Sequence, residues 1–140
     1  MAAPVRHEVD LEVRYAETDQ MGVVHHANYL VWFELARTHL CAAAGHPYAD
    51  IERLGVILMV SAAELRYRLP ARYGEHVRVA CWMTELRSRS LSFAYEVRRA
   101  EELLVAGTTD HLWVVRDSGR VCSIPAALRA PFSRLAGESS

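Results

Sequence analysis

The sequence contains no lysine, since all 16 of its basic residues are arginine. This absence excludes Schiff-base catalysis by a lysine and a phosphate-binding loop of the kind that depends on one. The net charge is also small, at −1 over 140 residues. No strong field of one sign would attract nucleic acid or an anionic membrane, and we expect neither as a partner.

Cysteine is scarce as well. The three cysteines, Cys41, Cys81 and Cys122, form no CxxC pair, and an odd number argues against a secreted disulfide framework. The first ten residues contain no apolar stretch of the signal-peptide type. The longest uncharged stretch near the start, residues 20–33, is too short to span a membrane as a helix. We therefore expect a cytoplasmic protein with no membrane span.

The overall composition is that of an ordinary globular protein, with 51% hydrophobic and 24% charged residues. A chain of this length buries roughly two-thirds of its unfolded surface, so it can form a core without metals or disulfides. No linker, repeat or low-complexity segment interrupts the sequence. We predict a single domain over residues 1–140.

Hydrophobic periodicity divides the chain into one strand, one long helix and a series of further strands. Strict alternation over residues 9–15 predicts a half-buried strand. Apolar residues then recur at helical spacing from Tyr29 to Ala43, and Gly45 is a suitable stop. This helix is apolar nearly all round, which predicts that it is buried. Later patterns predict a helical turn at 48–54, strands at 56–69, 75–87, 91–99 and 103–115, a short strand at 120–124 and a final turn at 125–129.

Polar side chains of two rare types concentrate between the first strand and the helix. The only asparagine, Asn28, and the only glutamine, Gln20, both lie in residues 19–28, with two of the seven histidines. One interpretation is a capped turn, in which Asn28 caps the helix and Asp19 holds the loop by local hydrogen bonds. The other is a functional site, and composition alone leaves both interpretations open.

The same segment resembles a known family. Residues 15–38, YAETDQMGVVHHANYLVWFELART, resemble the signature of hotdog-fold acyl-CoA thioesterases of the 4-hydroxybenzoyl-CoA thioesterase-like family, including its Tol-Pal-associated branch. The shared frame is Asp19, Gly22 three residues on, His26 at plus seven, Asn28-Tyr29 and a Glu-x-Ala-Arg sequence. Residues 69–75 resemble the family's strand-to-strand turn, and the resemblance extends over residues 9–115.

The resemblance implies an α+β hotdog fold, in which a curved antiparallel sheet of about five strands wraps a long central helix. That architecture agrees with the order of elements predicted from periodicity. Family members place their active sites at a dimer interface, and many are tetramers. We therefore expect a homo-oligomer, either a dimer or a dimer of dimers (a homotetramer).

The resemblance places catalysis on Asp19 and His26, with an acyl-CoA thioester as the substrate. Asp19 would act as a nucleophile through a mixed anhydride or as a general base toward water, and the sequence leaves both open. The backbone N–H of His26 would polarise the thioester carbonyl from the start of the helix.

The resemblance also implies a set of substrate-binding residues in two places. Around the helix start they are Gly22, Val24, His25, Asn28 and Tyr29. Further along the chain, Arg87, Arg89 and Ser90 match the positions where relatives contact the phosphates of coenzyme A, and arginine forks suit phosphates. An ordinary solvated strand end explains these arginines equally well.

Other functions remain open at this point. An acyl-carrier-protein thioesterase would use the same chemistry, and a non-catalytic acyl-binding protein would keep the fold without turnover. The adjacent His25 and His26 lack the spacing of a zinc site, and lone cysteines are more often buried hydrophobes than nucleophiles. No metal or redox cofactor is implied.

Overall fold

The computed structural model describes residues 3–137. Within them, one five-stranded antiparallel sheet has the strand order β1-β3-β4-β5-β2. Its strands and the accompanying helices are, in chain order, β1 (His7–Glu12), α1 (Asn28–Ala43), α2 (Tyr48–Arg53), β2 (Val56–Tyr67), β3 (His76–Leu86), β4 (Ser90–Arg99), β5 (Glu102–Val115) and α3 (Ala126–Leu135).

Helix α1 packs across one face of the sheet and forms the centre of the core. Tyr29, Phe33, Ala36 and Leu40 are buried, as their helical spacing predicts, whereas Ala43 is exposed. The Phe33 ring stacks on the Tyr95 ring of β4 with centroids 4.1 Å apart. This close approach depends on a glycine in β5. A Cβ built on Gly107 would lie 2.6 Å from the Phe33 ring, so the sheet has no room there for a side chain.

The first strand is shorter than its alternating pattern predicts. β1 ends at Glu12, and Tyr15–Glu17 form a turn of 3₁₀ helix. The physical reason is local, because the backbone N–H of Arg14 donates to the Glu17 carboxylate at 2.8 Å instead of continuing the ladder. The Tyr15 side chain therefore lies on the surface, where its ring meets that of Tyr73 edge to face.

The end of the chain also differs from the prediction. Residues 120–124 make one isolated bridge, Val114 to Val121, rather than a strand. The predicted final turn at 125–129 is a ten-residue helix that continues through Pro131. Its apolar positions, Leu128, Phe132 and Leu135, are buried against the core, and this burial outweighs the hydrogen bond lost at the proline.

One face of α1 and the edge strand β2 are left uncovered, although the sequence predicts a helix buried nearly all round. In α1, Leu30, Val31 and Leu35 are exposed, and in β2 so are Met59 and Val60. We call these five residues the apolar face. Large apolar side chains grouped in this way mark an interaction site more often than they mark a free surface.

Candidate functional site

A short loop, residues 18–24, carries Asp19 and is called the Asp19 loop below. A bridge between Thr18 and Val24 closes it, and the Asp19 N–H donates to the Val23 carbonyl at 2.8 Å. Gly22 adopts a φ of +79°, a left-handed conformation that favours glycine. The Asp19 Oδ1 accepts the Met21 N–H at 2.8 Å. The loop therefore presents a partly exposed carboxylate whose position its own backbone constrains.

Helix α1 begins a few residues after this loop. Ala27 occupies the position before the helix and provides no capping side chain, and its N–H donates to the His25 Nδ1 at 3.2 Å. Within residues 3–137, the N–H of His26 donates to no acceptor. An uncommitted N–H at the start of a helix lies at the positive end of the helix dipole, which suits developing negative charge. This geometry is compatible with the carbonyl-polarising role predicted for His26.

Asn28 is the first residue of α1 rather than its N-cap. Its Nδ2 donates to the carbonyl oxygen of Glu17 at 2.8 Å. The His25 N–H donates to the same carbonyl, also at 2.8 Å. The start of α1 is thus tied to the 3₁₀ turn that precedes Asp19, and the amide nitrogen of Asn28 is engaged within the protein.

A surface cleft of about 280 Å³ opens beside the helix start. Tyr29 forms part of its wall, and its hydroxyl accepts the Ala71 N–H at 3.3 Å. Burial raises the pKa of Tyr29, so its hydroxyl stays protonated. Asp19 is not among the lining residues, and of the predicted site residues the cleft includes the binding residues Val24 and Tyr29 and the catalytic residue His26. Sequence reasoning missed the remainder of its lining, Tyr67, Arg68, Leu69 and Pro70, although 69–70 lie in the second motif.

A second residue missed by the sequence reasoning is Glu17, whose exposed fraction is 5%. Its carboxylate accepts the Trp32 Nε1–H at 2.7 Å and the Arg14 N–H at 2.8 Å. Burial opposes ionisation of this carboxyl, but these hydrogen bonds and the Arg14 charge outweigh it and lower its pKa. The sequence feature that could have indicated a local ion pair is Arg14, which lies three residues before Glu17 and ahead of the polar loop.

Arg87, Arg89 and Ser90 lie far from Asp19 within one chain. The Asp19 loop adjoins the connection before β3, because the Val24 N–H donates to the Ala71 carbonyl at 2.9 Å. The arginines follow the other end of β3, in the hairpin to β4. The length of β3 separates the two places by about 33 Å at ~3.3 Å per residue. One chain alone does not bring the two sets of predicted binding residues together.

The alternative sites have no support in the described structure. The rings of His25 and His26 stack with centroids 4.2 Å apart, and residues 3–137 contain no group of three potential metal-ligating His, Cys, Asp or Glu side chains. Burial raises the pKa of Cys41 to about 12, which keeps its thiol protonated and unreactive. No helix among these residues has both the length and the apolar character needed to cross a bilayer.

Comparison with known proteins identifies the family. The profile described as "Thioesterase-like superfamily" matches residues 13–132. The chain belongs to the thioesterase-like superfamily. It is 41% identical over 110 residues to "Putative acyl-CoA thioesterase YneP" of Bacillus subtilis (strain 168), covering 78% of this chain and 80% of the relative.

Solved structures extend the comparison to the fold. Hypothetical protein TT1821 from Thermus thermophilus matches with a TM-score of 0.88 and 44% identity, over 92% of this chain and 98% of that one. DHNA-CoA thioesterase from Staphylococcus aureus matches with a TM-score of 0.89 and 29% identity, over 94% and 91% of the two chains.

Membership in the thioesterase-like superfamily confirms several predictions. The hotdog fold is confirmed, since the five-stranded antiparallel sheet and its long helix match the structure of the Staphylococcus aureus DHNA-CoA thioesterase over 94% of this chain. The chain is a thioester hydrolase. Its assignment to the Tol-Pal-associated branch stays a prediction, and so do the roles of the individual site residues.

Proposed function

We propose that this superfamily member is an acyl-CoA thioesterase that hydrolyses an acyl-CoA to the free acid and coenzyme A, with Asp19 as its catalytic carboxylate. The observation that carries the proposal is the Asp19 loop, which holds a partly exposed carboxylate seven residues before the uncommitted His26 N–H. The relative named for acyl-CoA thioesterase activity supports the substrate class.

The reaction needs little from the protein beyond these groups. A thioester is an activated acyl group, and its leaving thiol ionises near the cysteine value of about 8.5, so no strong general acid is required. In the nucleophilic route, an Asp19 oxygen bonds to the carbonyl carbon and the C–S bond breaks. The thiolate then takes a proton from solvent, and water cleaves the mixed anhydride to regenerate Asp19. In the alternative, Asp19 removes a proton from the attacking water.

The same proposal assigns the remaining residues of the helix start. The His26 N–H donates to the thioester oxygen, where negative charge develops in the transition state. The His26 side chain orients the substrate or water. Gly22, Val24, His25, Asn28 and Tyr29 shape the acyl and thioester subsite, with Val24 and Tyr29 in the wall of the cleft.

We further propose that the enzyme works as a homodimer or a dimer of dimers, with the apolar face and the β2 edge buried between subunits. β2 has β5 as its neighbour on one side and no strand on the other within the described sheet. Val31 and Val60 are 55% and 45% exposed in the single chain. Covering such side chains removes apolar area from water and closes an edge that would otherwise invite aggregation.

Dimerisation would also complete the substrate site. An isologous dimer with antiparallel β2 edges would put the partner's Arg87, Arg89 and Ser90 at the same end of the sheet as Asp19. A few strand spacings of ~4.8 Å would then separate the hairpin from the cleft, in place of the length of β3. The long arm of coenzyme A suits that separation, with its phosphates on the arginines.

The three free cysteines suit a reducing compartment, and we place the enzyme in the cytoplasm.

Thiol release from a panel of short, long and aromatic acyl-CoAs tests the activity. We expect wild-type turnover and a loss of at least about 10³-fold in Asp19→Ala, since removing a catalytic carboxylate removes the attacking or activating group. Asp117→Ala is the matched control, because that carboxylate is 93% exposed and lies in the turn after β5. A single turnover in ¹⁸O-water supports the nucleophilic route if the label enters Asp19, which happens when water attacks the Asp19 carbon of the mixed anhydride; the general-base route leaves the Asp19 oxygens unlabelled.

The contrary outcomes are equally specific. Full activity in Asp19→Ala would remove Asp19 from the mechanism. If wild-type protein releases no thiol from the panel, free acyl-CoA is the wrong substrate, and carrier-linked thioesters or acyl binding without turnover take its place.

For the dimer, Val60→Asp should halve the mass measured by light scattering, and an unchanged mass would move the interface elsewhere.

A further inference from the structure

The Glu17 carboxylate is the buried acidic group nearest in sequence to Asp19. Its Oε2 accepts the Trp32 indole N–H at 2.7 Å, and its Oε1 accepts the Arg14 N–H at 2.8 Å. The Arg14 Nε lies 3.5 Å from Oε1. Both carboxylate oxygens are therefore occupied inside the protein, and the exposed fraction of 5% leaves little access for a substrate. Glu17 is not placed to react.

Burying a carboxylate is costly unless its oxygens are paired and hydrogen-bonded. The hydrogen bonds from Trp32 and Arg14 outweigh the effect of burial and lower the pKa of Glu17, so the group is ionised at neutral pH. An ionised acceptor makes stronger and shorter bonds than a neutral one, which makes it an effective anchor.

The backbone of Glu17 anchors a further segment. Its carbonyl accepts both the Asn28 Nδ2–H and the His25 N–H at 2.8 Å. Through its side chain and its carbonyl, Glu17 is joined to the residues after β1, to the start of α1, and to Trp32 one turn inside the helix. The Asp19 loop lies between the points joined in this way, and Asp19 itself is two residues after Glu17.

We propose that Glu17 is a positioning residue, which acts through Trp32, His25 and Asn28 to hold the Asp19 loop against the start of α1. The inference rests on the proposed function of Asp19. Glu17 fixes the distance between the Asp19 carboxylate and the His26 N–H, the two groups assigned to attack at the carbonyl carbon and to stabilisation of the carbonyl oxygen. A misplacement of about 1 Å between groups of this kind can cost on the order of 100-fold in rate.

Three variants and a double variant test the role kinetically. Glu17→Gln keeps the side-chain volume, but its amide N–H group would face either the Trp32 indole N–H or the Arg14 N–H, and both of these are donors. Trp32→Phe removes the indole N–H and keeps an aromatic ring. Tyr95→Phe is the matched control, because it removes a buried hydroxyl that bonds to Thr109 at 2.6 Å and does not touch the loop.

We expect kcat to fall about 10- to 100-fold in Glu17→Gln, with KM within about twofold, because the alignment of reacting groups changes rather than ground-state binding. Trp32→Phe should lower kcat in the same way. The double variant should lose no more than Glu17→Gln alone, since both act through one bond. Unchanged kcat in Glu17→Gln, an equal loss in Tyr95→Phe, or losses that multiply in the double variant would each overturn the proposal.

Amide hydrogen exchange gives a second readout that does not depend on turnover. The N–H groups of Met21, Gly22 and His25 are bonded within the loop or to Glu17, so their exchange reports its closure. We expect at least tenfold faster exchange in Glu17→Gln and no change in Tyr95→Phe. Should the wild type hydrolyse no thioester, the proposed function fails while exchange still decides on Glu17. Unchanged exchange would overturn the anchoring role itself.

Discussion

Two groups of buried or partly buried polar side chains occupy different parts of this molecule. The loop cluster, formed by Glu17, Trp32 and Asn28, joins the start of α1 to the turn before Asp19. The core cluster, formed by Tyr95, Thr109 and His111, lies on the neighbouring strands β4 and β5. There the Thr109 Oγ1 is 2.6 Å from the Tyr95 hydroxyl and 2.8 Å from the His111 Nε2. Both clusters pair groups that would be expensive to bury alone.

The difference lies in what the hydrogen bonds join. In the loop cluster, they connect a carboxylate or a side-chain amide to the backbone or to a distant helix residue, so they fix the course of a loop. In the core cluster, they connect side chains of strands whose backbones the sheet already holds. We therefore expect damage to the loop cluster to change activity, and damage to the core cluster to change the stability of the whole domain.

The two clusters also differ in how they respond to acid. Burial, followed by the nearby Arg37 charge, lowers the pKa of His111 from 6.5 to about 4. Between these values the unfolded chain binds the proton and the folded chain does not, so stability falls as the pH falls through this window. Glu17 also has a lowered pKa, relative to an ordinary value of 4.5. Its contribution is therefore lost as the pH falls from about 4.5 through the lowered pKa of the folded-state carboxylate.

The largest predicted effect on stability comes from the titration of His111. Its pKa shift corresponds to roughly 3 kcal/mol of stability lost between about pH 6.5 and pH 4. His111→Gln cannot titrate and keeps a group able to bond Thr109, so the unfolding free energy of the variant should vary less with pH in this window. Urea unfolding at half-unit steps of pH measures the slope.

A control variant makes that test specific. His76→Gln changes an exposed histidine at the start of β3 and should leave the acid slope as it is in the wild type. If His111→Gln keeps the wild-type slope, other groups cause the acid dependence of the unfolding free energy. The buried neutral ring of His111 would then not explain how the core cluster responds to acid.

A steric change at Gly107 should have the next largest effect. In Gly107→Ala the new Cβ would lie 2.6 Å from the Phe33 ring and 2.8 Å from the Glu64 carbonyl oxygen, so the ring that stacks on Tyr95 has to move. Overpacking of this kind costs about 2 kcal/mol. Ala106→Ser, at the adjacent position in β5, is the control. Equal midpoints for the two variants in urea would mean that the core yields more easily than this packing implies.

Much of the architecture was predictable from the sequence, because it follows from periodicity. Strands at 75–87, 91–99 and 103–115 and the helix ending before Gly45 were predicted to within a residue or two, since their apolar positions repeat over ten or more residues. The errors in the predicted element boundaries have two causes, a local hydrogen bond and burial against the core. Arg14 and Glu17 turned the end of β1 into a 3₁₀ turn, and buried side chains carried α3 through Pro131.

The candidate site divides in a similar way. The Asp19 loop was identifiable because rare residue types concentrate there, and its motif resembles a known family. Glu17 received no role, since the Arg14–Glu17 spacing indicates at most a local ion pair and does not show that the carboxylate will be buried against an indole 15 residues later. The distance between Asp19 and Arg87 could not be foreseen either, because it depends on strand order. The sequence could not show either which apolar side chains of α1 stay exposed in the single chain, because the helical pattern is apolar on that face as well.

The smallest predicted effect is that of Tyr95→Phe, and it is also the most direct test of the comparison between the clusters. The variant removes the hydroxyl that bonds to Thr109 and to the Arg37 side chain but keeps the ring stacked on Phe33. Thr109 retains its bond to His111, so the loss should be about 1 kcal/mol of unfolding free energy, with kcat unchanged. Urea unfolding and thiol release on the same preparation measure both quantities. A fall in kcat comparable to that of Glu17→Gln would mean that the two clusters act as one network through Phe33, and that buried polar groups here do not divide into those that position the loop and those that stabilise the sheet.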